Sequence, residues 1–258
     1  MKTLEEKVIS KKMVLWRTLL SFFFLFLFFG ACWWSWSWLH KQPFDGSFGQ
    51  GVRQPLRNVL NTNEKIFGGI AFSKNHLSKT YPTSEATRNV RFNGPLGLDL
   101  KNVFDTAAWR LNVIKKNGDT MQLTLDDIKK LPRTEICFNF KCIEGWNQIT
   151  WWAGVKFSDF VKAYHLDGEA AMKYLGLSTP DEEYYVGIDM PSALHPQTIL
   201  CYELNGQPLP LREGYPLRLI IPVKYGIKHL KRIGYMYFDN KRPKDYWFEQ
   251  GYDYYSGL

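Results

Sequence analysis

Residues 135–146 read EICFNFKCIEGW: a strand-like run followed by Cys142. A thiolate at the end of a strand can ligate a soft metal or act as a nucleophile. No second Cys or His lies two to four residues from Cys142, so a structural zinc site is not indicated. Composition alone favours a buried free thiol that packs as a small hydrophobe. The choice between these interpretations therefore depends on the neighbouring sequence.

Two further stretches accompany this one: WAGV at residues 152–155 and PLRLIIPVKYGIKHLK at residues 216–231. With KCIEGW at residues 141–146, they resemble sulfite oxidase-fold, molybdopterin-dependent oxidoreductases. Within that family they are similar to bacterial enzymes akin to the catalytic subunit of periplasmic protein-methionine-sulfoxide reductase. The resemblance covers about residues 70–255. It implies an α+β fold of the sulfite oxidase type with mixed sheets, and a molybdopterin cofactor carrying molybdenum.

The resemblance also implies roles for individual residues. In the family, two dithiolene sulfurs of the pterin and one protein thiolate hold the molybdenum, and Cys142 matches that thiolate as metal ligand and catalytic residue. His195 matches a family residue that we expect to organise the pocket through hydrogen bonds. Glu213 stands where some relatives have a pterin-binding asparagine, so that role is not transferred to it. The remaining matches predict cofactor contacts at Asn75, His76, Thr179, Arg218, His229, Leu230 and Lys231.

The formal net charge of +8 is compatible with several anionic partners. The chain has no nucleic-acid-binding module and no basic run in its body, so no nucleic-acid partner is predicted. A phosphorylated cofactor would instead use a few charges locally, at Arg218, Lys224, Lys228 and Lys231.

Residues 18–39 contain no charged side chain and are long enough for a transmembrane helix. A basic tail, residues 1–17, precedes them, and four tryptophans near the other end are typical of an interfacial belt. The positive-inside tendency predicts a single-pass anchor in the inner membrane, with a cytoplasmic tail and a periplasmic catalytic domain.

Alternatives to this anchor remain open. A cleaved signal peptide has a similar charged start and apolar middle, and residues 29–32 loosely resemble a lipobox that would place a lipid on Cys32. Lys11 and Lys12 stand where a twin-arginine export signal would have two arginines. This departure leaves a domain on the cytoplasmic side as a minority alternative.

Residues 40–70 are rich in Gly and Pro and predict an irregular linker, and residues 71–258 form the predicted catalytic domain. Short strands are expected at 108–114, 174–179, 184–188, 217–222 and 233–238, and short helices at 125–131 and 157–164. Without regular βαβ units, this order favours an α+β domain over a Rossmann fold. A disulfide between Cys137 and Cys201 remains open.

The reaction is inferred from charge. Sulfite is a dianion that needs several fixed positive donors, whereas Glu144 and Trp146 follow Cys142 here. We therefore expect oxygen-atom transfer that reduces a neutral sulfoxide or N-oxide, as a small molecule or within a protein. The electrons would come from a membrane or periplasmic partner. The alternatives are a sulfite oxidase or dehydrogenase, and a non-catalytic membrane-tethered binding domain on the same fold.

Overall fold

The computed structural model describes residues 10–45, 51–67, 76–98 and 104–257. Its first element is a helix of 31 residues, α1 (Lys11–Lys41), in which no residue is buried. Ser10 caps its start by accepting a hydrogen bond from the backbone of Met13. By length and composition, α1 is capable of crossing a membrane, and a helix at this place is equally typical of a signal sequence.

Ten strands form two five-stranded sheets in the described part of the chain. They are β1 (Leu111–Ile114), β2 (Thr120–Leu123), β3 (Arg133–Lys141), β4 (Asn147–Lys156), β5 (Tyr174–Ser178), β6 (Tyr185–Asp189), β7 (Ile199–Leu204), β8 (Gln207–Pro208), β9 (Arg218–Ile220) and β10 (Tyr235–Asp239). The first sheet has the order β2-β1-β10-β5-β6 and is mixed, because β1 and β10 run parallel while its other pairs are antiparallel.

The second sheet is antiparallel, with the order β3-β4-β7-β8 and with β9 also paired to β7. Its longest pairing joins β3 to β4 from Arg133 opposite Val155 to Lys141 opposite Asn147. Gly154 lies at an irregularity in the β4–β7 register, where a Cβ would come within 2.0 Å of the Leu200 carbonyl oxygen. Glycine therefore allows the two backbones to approach closely.

The helices after α1 are short, apart from α2 (Gln54–Phe67). They are α3 (Leu125–Lys129), α4 (Phe157–Ala163), α5 (Asp167–Ala170), α6 (Met190–Ala193) and α7 (Tyr246–Glu249), with 3₁₀ turns at Thr83–Glu85, Leu211–Glu213 and Gly226–Lys228. Thr124 and Asp127 form a capping box that starts α3, since each side chain accepts from the other residue's backbone N–H.

Two apolar clusters lie on opposite faces of the second sheet. The main core packs residues of the first sheet, such as Leu111 and Val113, with Val155 and the rings of α4. The smaller cluster contains Phe138, Phe140, Trp152 and Ile220 on the other face. Adjacent residues of a strand point to opposite faces, so β3, β4 and β9 contribute to this second cluster with every other side chain.

The α+β fold class is confirmed, and the expected strands and short helices are present with boundaries within a few residues. The expectation of an irregular segment over residues 40–70 is wrong for Gln54–Phe67, which form α2. Local Gly and Pro content did not reveal this helix, because tertiary contacts stabilise it. Cys137 and Cys201 are free thiols, so the disulfide left open does not form.

Arg57 attaches α2 to the rest of the protein. Its buried guanidinium pairs with Asp45 and donates to the carbonyl oxygens of Tyr252, at 3.0 Å, and Phe248, at 3.1 Å. Glu64, further along α2, pairs with Arg242. These contacts attach α2 to the C-terminal segment of the domain.

Candidate active site

Cys142 lies at the tip of the β3–β4 hairpin. Its backbone N–H donates to the Trp146 carbonyl at 2.9 Å, and Gly145, with a φ of +90°, donates to the Cys142 carbonyl at 3.1 Å. Only a residue tolerant of positive φ closes this turn without strain. Cys142 is 8% exposed. Burial raises the pKa of Cys142, while backbone N–H groups of Glu144 and Ile143 act against that rise.

Aromatic side chains connect Cys142 to the interior. Trp146 stacks on Phe140 at 6.0 Å between ring centroids, and Phe140 meets His229 edge to face at 4.9 Å. Desolvation lowers the pKa of His229 to about 3, so its ring is neutral. Its Nε2 lies 3.2 Å from the Lys224 carbonyl oxygen, while its buried Nδ1 has no partner among the described residues.

Arg218 lies on the same face of the sheet, 4.6 Å over the ring of Trp152, and is 1% exposed. Its Nη1 donates to the carbonyl of Glu213 at 3.0 Å and to its carboxylate at 3.1 Å. Nε and Nη2 of Arg218, and Oε1 of Glu213, are buried without partners in the described part of the chain. Buried groups of this kind are costly unless something else binds them.

Lys231 completes this charged cluster. Its Nζ donates to the Gly94 carbonyl at 3.0 Å and lies 4.0 Å from the Glu213 carboxylate. Desolvation and the nearby Arg218 lower the pKa of Lys231 to about 7. Arg218 and Lys231 share one carboxylate, that of Glu213, so a bound anion would supply the negative charge that balances the second cation.

Lys224 and Lys228 each have an acidic partner in the structure. Lys224 forms an ion pair of 2.8 Å with Asp189, and Lys228 pairs with Asp245 in the interior. Both lysines are buried. Each lysine thus has a carboxylate partner of its own, and the expectation that their charges serve a phosphate stays a prediction.

The other predicted cofactor residues are positioned by hydrogen bonds of their own. The buried Thr179 hydroxyl accepts from the backbone N–H of Tyr184 at 3.2 Å. It also donates to the carboxylate of Asp181 in the same turn. Leu230 is buried, and its carbonyl accepts from the Leu219 backbone at 2.9 Å. This hydrogen bond holds the backbone of residues 229–231 against β9.

Asn75 lies outside the described residues. The adjacent His76 has an exposed side chain, and its carbonyl lies 3.1 Å from Nε2 of His195. The Nδ1 atom of His195 accepts from the Gln197 backbone at 3.3 Å, so Nε2 carries the proton and donates to His76. The expected organising role of His195 through hydrogen bonds agrees with these contacts.

Sequence reasoning missed two residues near Cys142. Arg91 lies with its guanidinium carbon 4.5 Å over the Trp146 ring, and its charge opposes the raised pKa of Cys142. The buried Tyr184 donates to the Ile227 carbonyl; burial raises its pKa, and the nearby Cys142 adds to the rise. Both lie far from Cys142 along the chain, and no local motif marks either one.

The family is established by similarity to known proteins. Residues 98–247 match the family model described as the oxidoreductase molybdopterin binding domain. A protein of Azospira oryzae, provisionally named protein-methionine-sulfoxide reductase subunit YedZ1, is 39% identical over 208 residues, covering 81% of this chain and 78% of that protein. The chain belongs to the molybdopterin-binding oxidoreductase family, and it is therefore a molybdopterin-dependent enzyme.

More distant relatives include two proteins named protein-methionine-sulfoxide reductase catalytic subunit MsrP. The one from Campylobacter jejuni is 28% identical, covering 58% of this chain and 55% of its own, and the one from Xanthomonas campestris is 31% identical, covering 55% and 48%. The chain thus spans about half the length of these two relatives. The sulfane dehydrogenase SoxCD from Paracoccus pantotrophus aligns with a TM-score of 0.48 and 18% identity, over 55% of this chain and 40% of that chain.

The residues present suit a molybdenum cofactor with ligands of its own. In the described part of the chain, no group of three or more His, Cys, Asp or Glu side chains is arranged to hold a metal ion. A dithiolene cofactor needs only one protein thiolate, and Cys142 offers it. The unpartnered donors of Arg218, beside Lys231, suit the anionic end of such a cofactor.

Proposed function

We propose that Cys142 is the protein ligand to molybdenum and that the surrounding cluster holds the pterin. In this proposal Arg218 and Lys231 bind the phosphate, since both are buried cations with incomplete compensation. His229 offers a neutral ring nitrogen, Nδ1, that has no partner among the described residues. Leu230 contributes through the backbone of residues 229–231 and Thr179 through its hydroxyl, and Asn75 and His76 contribute from the sequence that precedes β1.

When bound, the cofactor supplies two-electron oxygen-atom transfer, the chemistry of its metal. The chain's own residues orient it and exclude water. The aromatic series Trp146, Phe140 and His229 forms an apolar wall from the Cys142 turn inward. Such a wall raises the cost of desolvating a charged substrate and favours one that is neutral.

We infer that the substrate is a neutral sulfoxide, with methionine sulfoxide as the first candidate, free or within a protein. The carrying observation is the internal pairing of cations: Arg218, Lys224 and Lys228 each face a carboxylate. The site therefore has little positive charge left for a dianion beyond that used for the cofactor phosphate. The names of the relatives in Azospira, Campylobacter and Xanthomonas support the same substrate class.

Sulfite oxidation is the second candidate, because Arg91 adds one cation near Cys142 that the sequence did not reveal. One exposed arginine provides less positive charge than a dianion needs, because a dianion requires several fixed donors. The non-catalytic alternative no longer applies, since the chain belongs to an enzyme family.

The proposed setting is the inner membrane. The apolar helix α1 would anchor the chain once, with the domain in the periplasm and electrons delivered by a membrane or periplasmic partner. The contacts of α2 with the C-terminal segment would keep the domain close to that anchor.

The decisive assay uses full-length protein from a host that makes the cofactor. Reduced viologen with methionine sulfoxide or dimethyl sulfoxide tests reduction, and sulfite with ferricyanide tests oxidation. We expect turnover of the sulfoxide at a molybdenum content near one per chain. Rapid sulfite oxidation without sulfoxide turnover would refute the substrate assignment while leaving the cofactor assignment intact.

A further inference from the structure

Arg91 is fixed against the hairpin that carries Cys142. Its backbone N–H donates to the Gln148 side-chain oxygen at 2.8 Å, and the Gln148 amide donates back to the Arg91 carbonyl at 3.1 Å. Gln148 belongs to β4 and pairs with Phe140 of β3, the strand that leads into Cys142. This reciprocal contact gives the Arg91 backbone a defined place beside the hairpin tip.

The side chain of Arg91 rests on one face of an indole. Its guanidinium carbon lies 4.5 Å from the Trp146 ring centroid, while the Trp146 N–H donates to Glu144 at 2.9 Å. Among the described residues, the Arg91 guanidinium packs on the Trp146 ring, and no carboxylate forms an ion pair with it. A cation held by a ring face keeps its N–H donors available at the exposed edge of the site.

We propose that Arg91 is a specificity-determining residue, which positions the substrate by donating hydrogen bonds to the oxygen of a neutral S-oxide entering beside Trp146. This inference rests on the proposed sulfoxide reduction. That reaction breaks the S–O bond: a sulfoxide, two electrons from the redox partner and two protons give a sulfide and water. The substrate oxygen carries partial negative charge, which suits a single planar cation.

The chemistry of the substrate's other groups fits the same arrangement. The apolar substituents of a sulfoxide need no charge and pack against aromatic rings such as Trp146 and Phe140. Arg91 would thus bind the substrate oxygen, while the rings of Trp146 and Phe140 pack against the apolar substituents. The cation and the wall come from different segments of the chain, so the pair exists only in the folded protein.

The test compares two arginines on one segment. Arg91→Met removes the charge and keeps an apolar side chain over Trp146, whereas Arg88→Met makes the same change three residues earlier at an exposed position. Molybdenum content, kcat and KM are measured on full-length, cofactor-loaded protein with dimethyl sulfoxide and reduced viologen. Losing a charged hydrogen bond predicts a kcat/KM about tenfold lower, carried by KM, or about 1.4 kcal/mol. Arg91→Lys should recover part of it, and Arg88→Met should match the unchanged protein.

Three results would overturn the inference. An unchanged KM in Arg91→Met, or the same change in Arg88→Met, would make Arg91 an ordinary surface cation. Lower molybdenum content in Arg91→Met would assign it to the cofactor or to folding. A fall in kcat alone would place it in the chemical step. If the unchanged protein turns over no sulfoxide, the proposed function fails together with the inference; with turnover, only the inference is at stake.

Discussion

Arg218 and Glu213 form an ion pair of 3.1 Å in which both side chains are at most 3% exposed. The pair places a negative charge within a site expected to bind an anion. Taking both charges out of water is costly, and their attraction repays that cost only when the remaining donors and acceptors are satisfied. Here several are not, since Arg218 Nε and Nη2 and Glu213 Oε1 lack partners among the described residues. The pair therefore leaves buried donors and an acceptor whose hydrogen bonds a bound ligand would satisfy.

Glu213→Gln should destabilise the cofactor-free protein. Arg218 would lose the charge that compensates it in the interior, a loss of about 3–5 kcal/mol for buried pairs. Thermal or denaturant unfolding measures the change. Glu135→Gln is the matched control, since Glu135 pairs with Arg133 at an exposed position, where ion pairs contribute at most about 1 kcal/mol. Equal effects of the two variants would contradict the role assigned to the buried pair.

Cys142→Ser should abolish turnover and change the Mo(V) electron-paramagnetic-resonance signal while the fold persists. A hydroxyl is a poorer ligand than a thiolate for a soft metal. Because Cys142 lies at a hairpin turn held by backbone bonds, serine fits the same geometry. Circular dichroism and molybdenum analysis accompany the assay. Full activity of this variant would show that Cys142 is not the ligand; Cys137→Ser, in the preceding strand β3, is the comparison.

Lys231 predicts a pH dependence of stability in the cofactor-free protein. Its pKa is about 7 in the folded state, lowered by burial and by Arg218, and about 10.4 in the unfolded chain. Between these values the unfolded state binds the extra proton, so the contribution of Lys231 to stability rises with pH from 7 to about 10. The unfolding free energy should rise with pH more steeply than in Lys231→Met. Parallel profiles would place Lys231 in a solvated environment.

Lys228 and Asp245 should behave as a coupled pair. Asp245 joins the C-terminal segment to the interior by pairing with Lys228 and accepting from the Gly187 backbone at 3.1 Å. Asp245→Asn leaves a buried lysine without its partner and should cost about 3–5 kcal/mol of unfolding free energy. Lys228→Met combined with Asp245→Asn should recover part of that loss. Additive losses in the double variant would mean that the two side chains are not coupled.

Protease added to spheroplasts should digest the domain. Helix α1 and the basic residues before it favour a cytoplasmic N-terminus. Immunoblotting against the C-terminal segment follows the digestion, with a cytoplasmic protein as the control for lysis. Protection of the domain until lysis would place it inside the cell.

The sequence by itself determined the fold class, the family and the position of Cys142. Alternating apolar residues set β1 and β3, Thr124 and Asp127 started α3, and KCIEGW with the 216–231 block indicated the cofactor. These are local signals: side-chain periodicity, capping and short motifs depend on neighbours along the chain.

Only the tertiary structure decided which charges are free. In the sequence, Lys224, Lys228 and Arg218 are three cations of one basic stretch with no evident partners. In the structure, each forms an ion pair with a carboxylate, that of Asp189, Asp245 or Glu213 respectively. Arg91 contacts Trp146, and α2 contacts the C-terminal segment, although the partners are far apart along the chain. Charge pairing and burial depend on the three-dimensional neighbourhood, because the dielectric surroundings and partners of a group are set by folding, and not by the residues beside it.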